Sequence, residues 1–217
     1  MMGLDFSGSA DREISILCIG AHSDDIEIGC GGTVLKLLDV TPEVEIDWIV
    51  LAGGEGRRQE AEVSAHRFLE KADNPRVRIA DFRERYFPFL PELKEYFDEL
   101  GRELNPDLVF CPRLEDRHQD HRMVSELAAN TFRDNMILNY EIPKFDADLG
   151  QPNVYVSLSA EQIDRKISLL FESFPSQTSR YWFTDDTFRG LLRIRGIESH
   201  AEFGYAEAFD CRKLVLF

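Results

Sequence analysis

The chain alternates short apolar runs, which are typical of buried strands, with longer amphipathic runs of helical spacing. Strands are predicted at Ile14–Ile19, Val44–Leu51, Val77–Ala80, Asp107–Cys111, Met136–Tyr140 and Val154–Leu158. Helices are predicted at Thr33–Asp39, Arg58–Lys71, Pro91–Leu104, His121–Phe132 and Ser159–Phe174. The rest of the C-terminal third is harder to assign.

Strands separated by helices through the first two thirds of the chain predict a parallel sheet covered by helices on both faces. The predicted fold class is therefore α/β, a Rossmann-like three-layer α/β/α sandwich with a mostly parallel sheet. At 217 residues, the chain is interpreted as one domain, 1–217, in which residues 1–12 are expected to be flexible. In such folds, ligands bind beyond the carboxyl ends of the strands, where the strand order reverses.

Charge and composition exclude several classes of partner. A formal net charge of -15 opposes binding to a phosphate backbone, so no nucleic-acid partner is expected. No apolar run approaches the roughly 18 residues of a membrane-spanning helix. The N-terminal segment has no basic, apolar leader, and the four cysteines show no C-x-x-C pairing. We expect a cytoplasmic protein, and a homo-oligomer is left open.

Side chains that can bind metal or move protons follow two of the predicted strands. They are His22, Asp24 and Asp25 after the first strand, and His118, Asp120 and His121 after the strand that ends at Cys111. Because parallel strands end at one edge of a sheet, these groups are expected near one another. Two histidines and one aspartate would supply the three protein ligands of a catalytic zinc site. The other groups would serve proton transfer and charge stabilisation.

Two other interpretations of these motifs stay open. A His-x-Asp-His stretch can be an exposed loop or a helix cap, and aspartates at strand exits often cap helices. The glycines of GCGGT could form a phosphate-binding loop, but the G-x-G-x-x-G spacing is absent and adjacent carboxylates would repel a pyrophosphate. We interpret Gly29, Gly31 and Gly32 as positions that allow close packing beneath the site and let the following helix begin.

The segments AHSDDIEIGCGGT and HQDH resemble two motifs of the LmbE-like or PIG-L-type deacetylase family, Ala-His-Pro-Asp-Asp-x-Glu followed by Gly-Gly-Thr, and His-x-Asp-His. The segments GGEGRRQEAEVSAHRFL, FPSQ and RGIESHAEFGYAEAF are similar to further family segments in the same order, from residue 21 to residue 209 overall. Ser23 stands where the family has proline, which restores an N–H without removing a ligand. Phe174 stands where the family has tyrosine.

The resemblance implies zinc-dependent hydrolysis of the N-acetyl group of an N-acetylglucosamine-type amino sugar or its conjugate, a small-molecule substrate. The implied roles are metal binding for His22, Asp25 and His121, and catalysis for Asp24 as general base, His118 at the oxyanion and Asp120 as the group that orients His118. Zinc is the expected cofactor, and iron or cobalt stays open because affinity order alone does not settle metal identity.

The resemblance also implies a substrate-binding arginine, assigned to Arg58 in preference to Arg57 because of its spacing to Leu69. Its guanidinium would hold sugar hydroxyls or a phosphate. The other interpretation is a surface arginine at a helix start. For Glu27, Arg195 and Glu207, which also match family positions, we expect scaffold roles.

Two alternative functions stay open. The first is a metal-dependent amidohydrolase acting on a non-sugar amide or a thiol conjugate, since the fold and metal do not select the acyl donor. The second is a non-catalytic nucleotide-binding or interaction module.

Overall fold

The computed structural model describes residues 14–41, 44–54 and 56–215, and the segment 1–12 that was expected to be flexible lies outside them. The strands in these residues are β1 (Ile14–His22), β2 (Val44–Ala52), β3 (Arg76–Ile79), β4 (Leu108–Pro112), β5 (Met136–Tyr140), β6 (Val154–Ser157) and β7 (Ala206–Cys211). The α-helices are α1 (Asp25–Val40), α2 (Arg57–Phe68), α3 (Pro91–Glu103), α4 (Gln119–Thr131), α5 (Ala160–Ser173) and α6 (Asp185–Ser199).

These strands form one sheet in the order β3-β2-β1-β4-β5-β7-β6. Strands β1 to β5 pair in parallel, and β7 runs antiparallel to both β5 and β6. From β1 the chain proceeds outward to β2 and β3 on one side, then returns to β4 on the other. The point where the strand order reverses therefore lies between β1 and β4. The predicted mostly parallel sheet is confirmed.

Two apolar cores lie on opposite faces of the sheet. Along β1, Ile16 and Cys18 pack into a core shared with α1, α2, α5 and α6, whereas Leu17 and Ile19 pack into a core shared with α3 and α4. Burial on both faces explains why the strand sequence is continuously apolar. The predicted three-layer sandwich is confirmed, and no helix in the described ranges is long and apolar enough to cross a membrane.

Helix α1 begins at Asp25 and not near Thr33, so the glycines of GCGGT lie inside the helix. A Cβ on Gly29 would lie 2.1 Å from the Tyr140 ring, and one on Gly31 would lie 2.6 Å from the Phe68 ring. The glycines therefore allow close packing, as expected, but the expectation that they let the helix begin is wrong. Their low helix propensity pointed to a later start, and tertiary packing outweighs that preference here.

The C-terminal third supplies α6 and β7, which the hydrophobic pattern did not assign. Glu207 on β7 is buried and accepts hydrogen bonds from the backbone N–H of Gly32 at 2.8 Å and of Thr33 at 2.6 Å. The Nζ of Lys166 on α5 also donates to this carboxylate, at 2.6 Å. One carboxylate thus connects α1, α5 and β7.

Candidate metal centre and active site

The carboxyl ends of β1 and β4 bring the two polar motifs together. His22 is the last residue of β1, Asp25 is the first residue of α1, and His121 lies in the first turn of α4. Because β1 and β4 are parallel neighbours, the segments that follow them share one edge of the sheet. This edge is the point at which the strand order reverses.

Three donor atoms from these residues form a compact triangle. The Nδ1 of His22 lies 3.1 Å from the Nε2 of His121. The Oδ2 of Asp25 lies 3.3 Å from that Nε2 and 3.4 Å from that Nδ1. Four-coordinate zinc with ligand distances of roughly 2.0–2.1 Å holds its ligand atoms about 3.3 Å apart. The residues therefore fit a metal ion in both donor type and spacing.

A carboxylate contacts the outer nitrogen of each of the two rings. The Nε2 of His22 lies 3.2 Å from the Oδ2 of Asp120, and the Nδ1 of His121 lies 2.8 Å from the Oδ2 of Asp116. When those outer nitrogens carry the proton, the lone pairs of the inner nitrogens face the triangle. Carboxylate–histidine pairs of this kind are typical of metal centres.

The carboxylates of Asp25, Asp116 and Asp120 also determine the pKa values of the two histidine rings. Burial alone would lower both pKa values, but Asp25 and Asp120 outweigh it at His22 and raise its pKa to about 10. In the same way, Asp25 and Asp116 outweigh burial at His121 and raise its pKa to about 9. An arrangement of charges that favours protons on these rings also favours a divalent cation between them.

His118 is the third member of a histidine cluster with His22 and His121, whose ligand atoms all lie within 4.8 Å of one another. It is the N-cap of α4, and its Nδ1 accepts the backbone N–H of Asp120 at 3.3 Å. In the neutral ring, Nε2 therefore carries the proton. Burial and the two neighbouring rings lower the pKa of His118, which favours this neutral form.

The expected pairing of the Asp120 carboxylate with the His118 ring is not found, so that expectation is corrected. The carboxylate turns towards His22 and accepts the backbone N–H of Arg85 at 2.5 Å and of Phe87 at 3.3 Å. Asp120 lies in the first turn of α4, where a side chain takes its direction from the helix and not from its sequence neighbour. The motif alone does not show how each side chain of α4 is oriented, so the direction of the Asp120 carboxylate could not be predicted from it.

Asp24 is buried beside the triangle, and its Oδ1 accepts a hydrogen bond from the Nη2 of Arg57 at 2.7 Å. Burial raises the pKa of this carboxyl group, and Arg57 offsets part of the rise. Arg58 instead forms a surface ion pair with Glu62 at 3.1 Å. The arginine beside the site is therefore Arg57, because α2 begins one residue earlier than predicted and adjacent helical positions point in different directions.

Comparison with protein-family models shows the family to which this chain belongs. The family model described as PIG-L, GlcNAc-PI de-N-acetylase, matches residues 17–132. The chain belongs to the PIG-L family. It is thus a member of a family of hydrolytic N-deacetylases, and the resemblance predicted from the motifs is confirmed. The matched range contains every residue of the site from His22 to His121.

Two curated proteins are similar to this chain in sequence. The diacetylchitobiose deacetylase of Thermococcus kodakarensis is 29% identical over 121 residues, which cover 49% of this chain and 45% of that protein. The uncharacterized deacetylase YaiS of Escherichia coli is 29% identical over 175 residues, which cover 75% of this chain and 91% of that protein. The chain thus spans less than half of the Thermococcus protein and nearly all of YaiS.

Solved structures support the fold. The conserved protein TT1542 of Thermus thermophilus superposes with a TM-score of 0.75 at 22% identity, covering 94% of this chain and 97% of its own. GalB of Pseudomonas putida, described as a 4-carboxy-2-hydroxymuconate hydratase, gives 0.72 at 16% identity, covering 94% and 98%. Since both proteins are less than 25% identical to this chain, the superpositions establish the fold only.

Asp116 and Arg57 both lie beside this PIG-L site: the sequence interpretation missed Asp116 and ranked Arg57 below Arg58. Asp116 lies two residues before His118, outside the His-x-Asp-His motif, so the only available signal was a carboxylate near a strand exit. For Arg57 the signal was present in the Arg-Arg pair, but the helix phase was off by one residue.

Proposed function

We propose that this PIG-L protein hydrolyses the N-acetyl group of an N-acetylglucosamine-type amino sugar or its conjugate, using a divalent metal held by His22, Asp25 and His121. The observation that carries the proposal is the triangle of donor atoms 3.1–3.4 Å apart beside the buried carboxyl group of Asp24. The family match and the chitobiose deacetylase relative support the amino-sugar substrate.

A metal ion at this site, zinc for a donor set of this kind, would polarise the acetyl carbonyl and make water more acidic. His22 and His121 supply the nitrogen ligands, oriented by the carboxylates on their outer nitrogens. Asp25 supplies the oxygen ligand, and its pKa stays well below the usual range because the two histidines outweigh its burial. It therefore stays ionised near neutral pH.

Asp24 is the general base in this proposal. Its buried carboxylate lies next to the ligands in the chain, and burial makes it more basic than an exposed aspartate. It takes a proton from the attacking water as the carbon–oxygen bond forms. Arg57 holds the carboxylate through Oδ1, which leaves Oδ2 for that proton.

His118 stabilises the oxyanion of the tetrahedral intermediate. Because its Nδ1 is engaged by the N–H of Asp120, its Nε2–H is the available donor. One such donor is typically worth about 3 kcal/mol in the barrier. When the carbon–nitrogen bond breaks, protonated Asp24 and His118 are the two groups placed to give the leaving amine its proton.

The proposal is tested by metal content and acetate release from N-acetylglucosamine and diacetylchitobiose. We expect about one metal per chain in the wild type, loss of metal and turnover in His121→Ala, and retained metal with almost no turnover in Asp24→Asn. His66→Ala, at an exposed position of α2, is the matched control and should change neither property.

Other outcomes distinguish the alternative functions. Hydrolysis of simple acyl amides or thiol conjugates without hydrolysis of amino sugars would replace the substrate class and keep the metal. A metal-free wild type that binds a dinucleotide would support the non-catalytic module. Full acetate release by His121→Ala would contradict the proposed site.

A further inference from the structure

We propose that Asp116 is a positioning residue that couples the metal ligand His121 to the oxyanion donor His118, and that Lys144 fixes it in place. The inference rests on the proposed function, because it concerns the orientation of residues around the metal. It adds one carboxylate and one ammonium group to the site, neither of which belongs to the motifs of the sequence.

The contacts of Asp116 join two parts of the site. Its side chain is buried, with a residue exposure of 4%. One oxygen, Oδ1, accepts the backbone N–H of His118 at 2.7 Å. The other, Oδ2, lies 2.8 Å from the Nδ1 of His121 and accepts from the Nζ of Lys144 at 2.8 Å. A single carboxylate thus contacts both histidines and one cation.

The contacts of Asp116 with His121 and with His118 have different consequences. Asp116 accepts the proton on the Nδ1 of His121 in a hydrogen bond, which favours the tautomer with Nδ1 protonated. The Nε2 of this ring, which faces the ligand triangle, is then unprotonated, as metal binding requires. The bond to the N–H of His118 restrains the backbone from which that side chain extends. Distances between the donor and the metal depend on this backbone, so one carboxylate controls both the ligand and the oxyanion contact.

Lys144 restrains Asp116 from the third side. It lies in the segment between β5 and β6, is largely buried, and also donates to the Oδ2 of Asp148 at 2.9 Å. Asp148 in turn accepts the backbone N–H of Arg117 at 2.8 Å. An ammonium held between two carboxylates in a buried setting is expensive to displace, since either carboxylate would lose its partner. The segment around Lys144 is thereby tied to the segment before α4.

Asp116→Asn is the informative substitution because it keeps the size of the side chain. All three groups that face the carboxylate are hydrogen-bond donors, whereas an amide offers one acceptor and one donor group. In either orientation, the NH₂ group would face the N–H of His118, or the N–H of His121 together with the ammonium of Lys144. The substitution therefore removes charge and leaves at least one donor unpaired.

The experiment measures zinc affinity of the metal-free protein by competition with a chelating dye, together with the ring-nitrogen NMR spectrum of the zinc-loaded histidines. We expect Asp116→Asn to bind zinc about 10–100-fold more weakly, with the Nδ1 proton resonance of His121 lost or shifted. Lys144→Met should weaken binding in the same direction by less. Glu115→Gln, which removes the neighbouring exposed carboxylate, should match the wild type.

The outcomes separate this inference from the proposed function. A wild type that binds no zinc contradicts the proposed function first. A wild type that binds zinc while Asp116→Asn binds it within about twofold overturns the inference and leaves the function standing. If Asp116→Asn does not fold, Lys144→Met provides the test, because it keeps the carboxylates of Asp116 and Asp148. Unchanged zinc affinity and an unchanged His121 resonance in Lys144→Met would then overturn the inference.

Discussion

Replacing Arg57 with methionine should shift the pH dependence of catalysis by weakening the ionisation of Asp24. The Nη2 of Arg57 lies 2.7 Å from the Oδ1 of Asp24, with side-chain exposures of 23% and 8%. Two unit charges about 4 Å apart attract by about 4 kcal/mol at an effective dielectric constant of about 20. Partial exposure of the arginine reduces this, and an adjacent arginine typically lowers an aspartate pKa by about 1–3 units.

Without Arg57, less of the effect of burial on Asp24 is offset, so its pKa should rise. A general base acts in its ionised form, so below the new pKa the rate should fall about tenfold per pH unit. The assay is acetate release as a function of pH, analysed as kcat/KM. We expect the acidic limb of the profile to move to higher pH in Arg57→Met, in step with the rise in the pKa of Asp24.

The adjacent arginine provides the discriminating comparison. Arg58→Met should leave the acidic limb in place, because Arg58 pairs with Glu62 at the surface. Arg67→Met, which removes an exposed arginine of the same helix paired with Glu172, controls for loss of positive charge. An unshifted limb in Arg57→Met, or a shift of equal size in Arg58→Met, would refute the reasoning.

Three further substitutions test the scaffold around the site. Glu207→Gln should destabilise the fold by about 3–5 kcal/mol in urea unfolding, because it leaves the buried ammonium of Lys166 without a counter-charge; little change would contradict the scaffold role. Burial raises the pKa of Glu27 from 4.5 to about 8. Between these two pH values, Glu27 is protonated in the folded protein and ionised in the unfolded chain. The free energy of unfolding therefore falls as pH rises through this range. Glu27→Gln should remove this fall and give a higher Tm than wild type near pH 8, and parallel Tm profiles would count against it. Gly29→Ala should lower Tm because its Cβ would overlap the Tyr140 ring; an unchanged Tm would show that the ring can move.

The parallel strands of the sheet, β1 to β5, and the location of the site could be predicted because both follow from local patterns. A strand buried on both faces must be continuously apolar, and the polar residues that end it must lie at the carboxyl edge. This accounts for β1 and β4, and for the convergence of His22 with His121. Because histidine and aspartate are suitable zinc ligands, these residues indicated a metal site.

What could not be predicted depends on rotation and on distant packing. The side-chain directions of Asp120 and Arg57 follow from the phase of α4 and α2, which a shift of one residue changes. The early start of α1 depends on contacts of Gly29 and Gly31 with rings from distant segments. Asp116 contacts Lys144, which lies beyond β5, only in the folded protein. The local sequence alone does not determine any of these contacts.

The most direct test of the central claim is acetate release from an N-acetylated amino sugar by protein stripped of metal and then titrated with zinc. The account predicts that stripping abolishes turnover and that activity returns in proportion to zinc until about one ion per chain is bound by the His22, Asp25 and His121 triangle. A stripped protein that releases acetate at the original rate would contradict it.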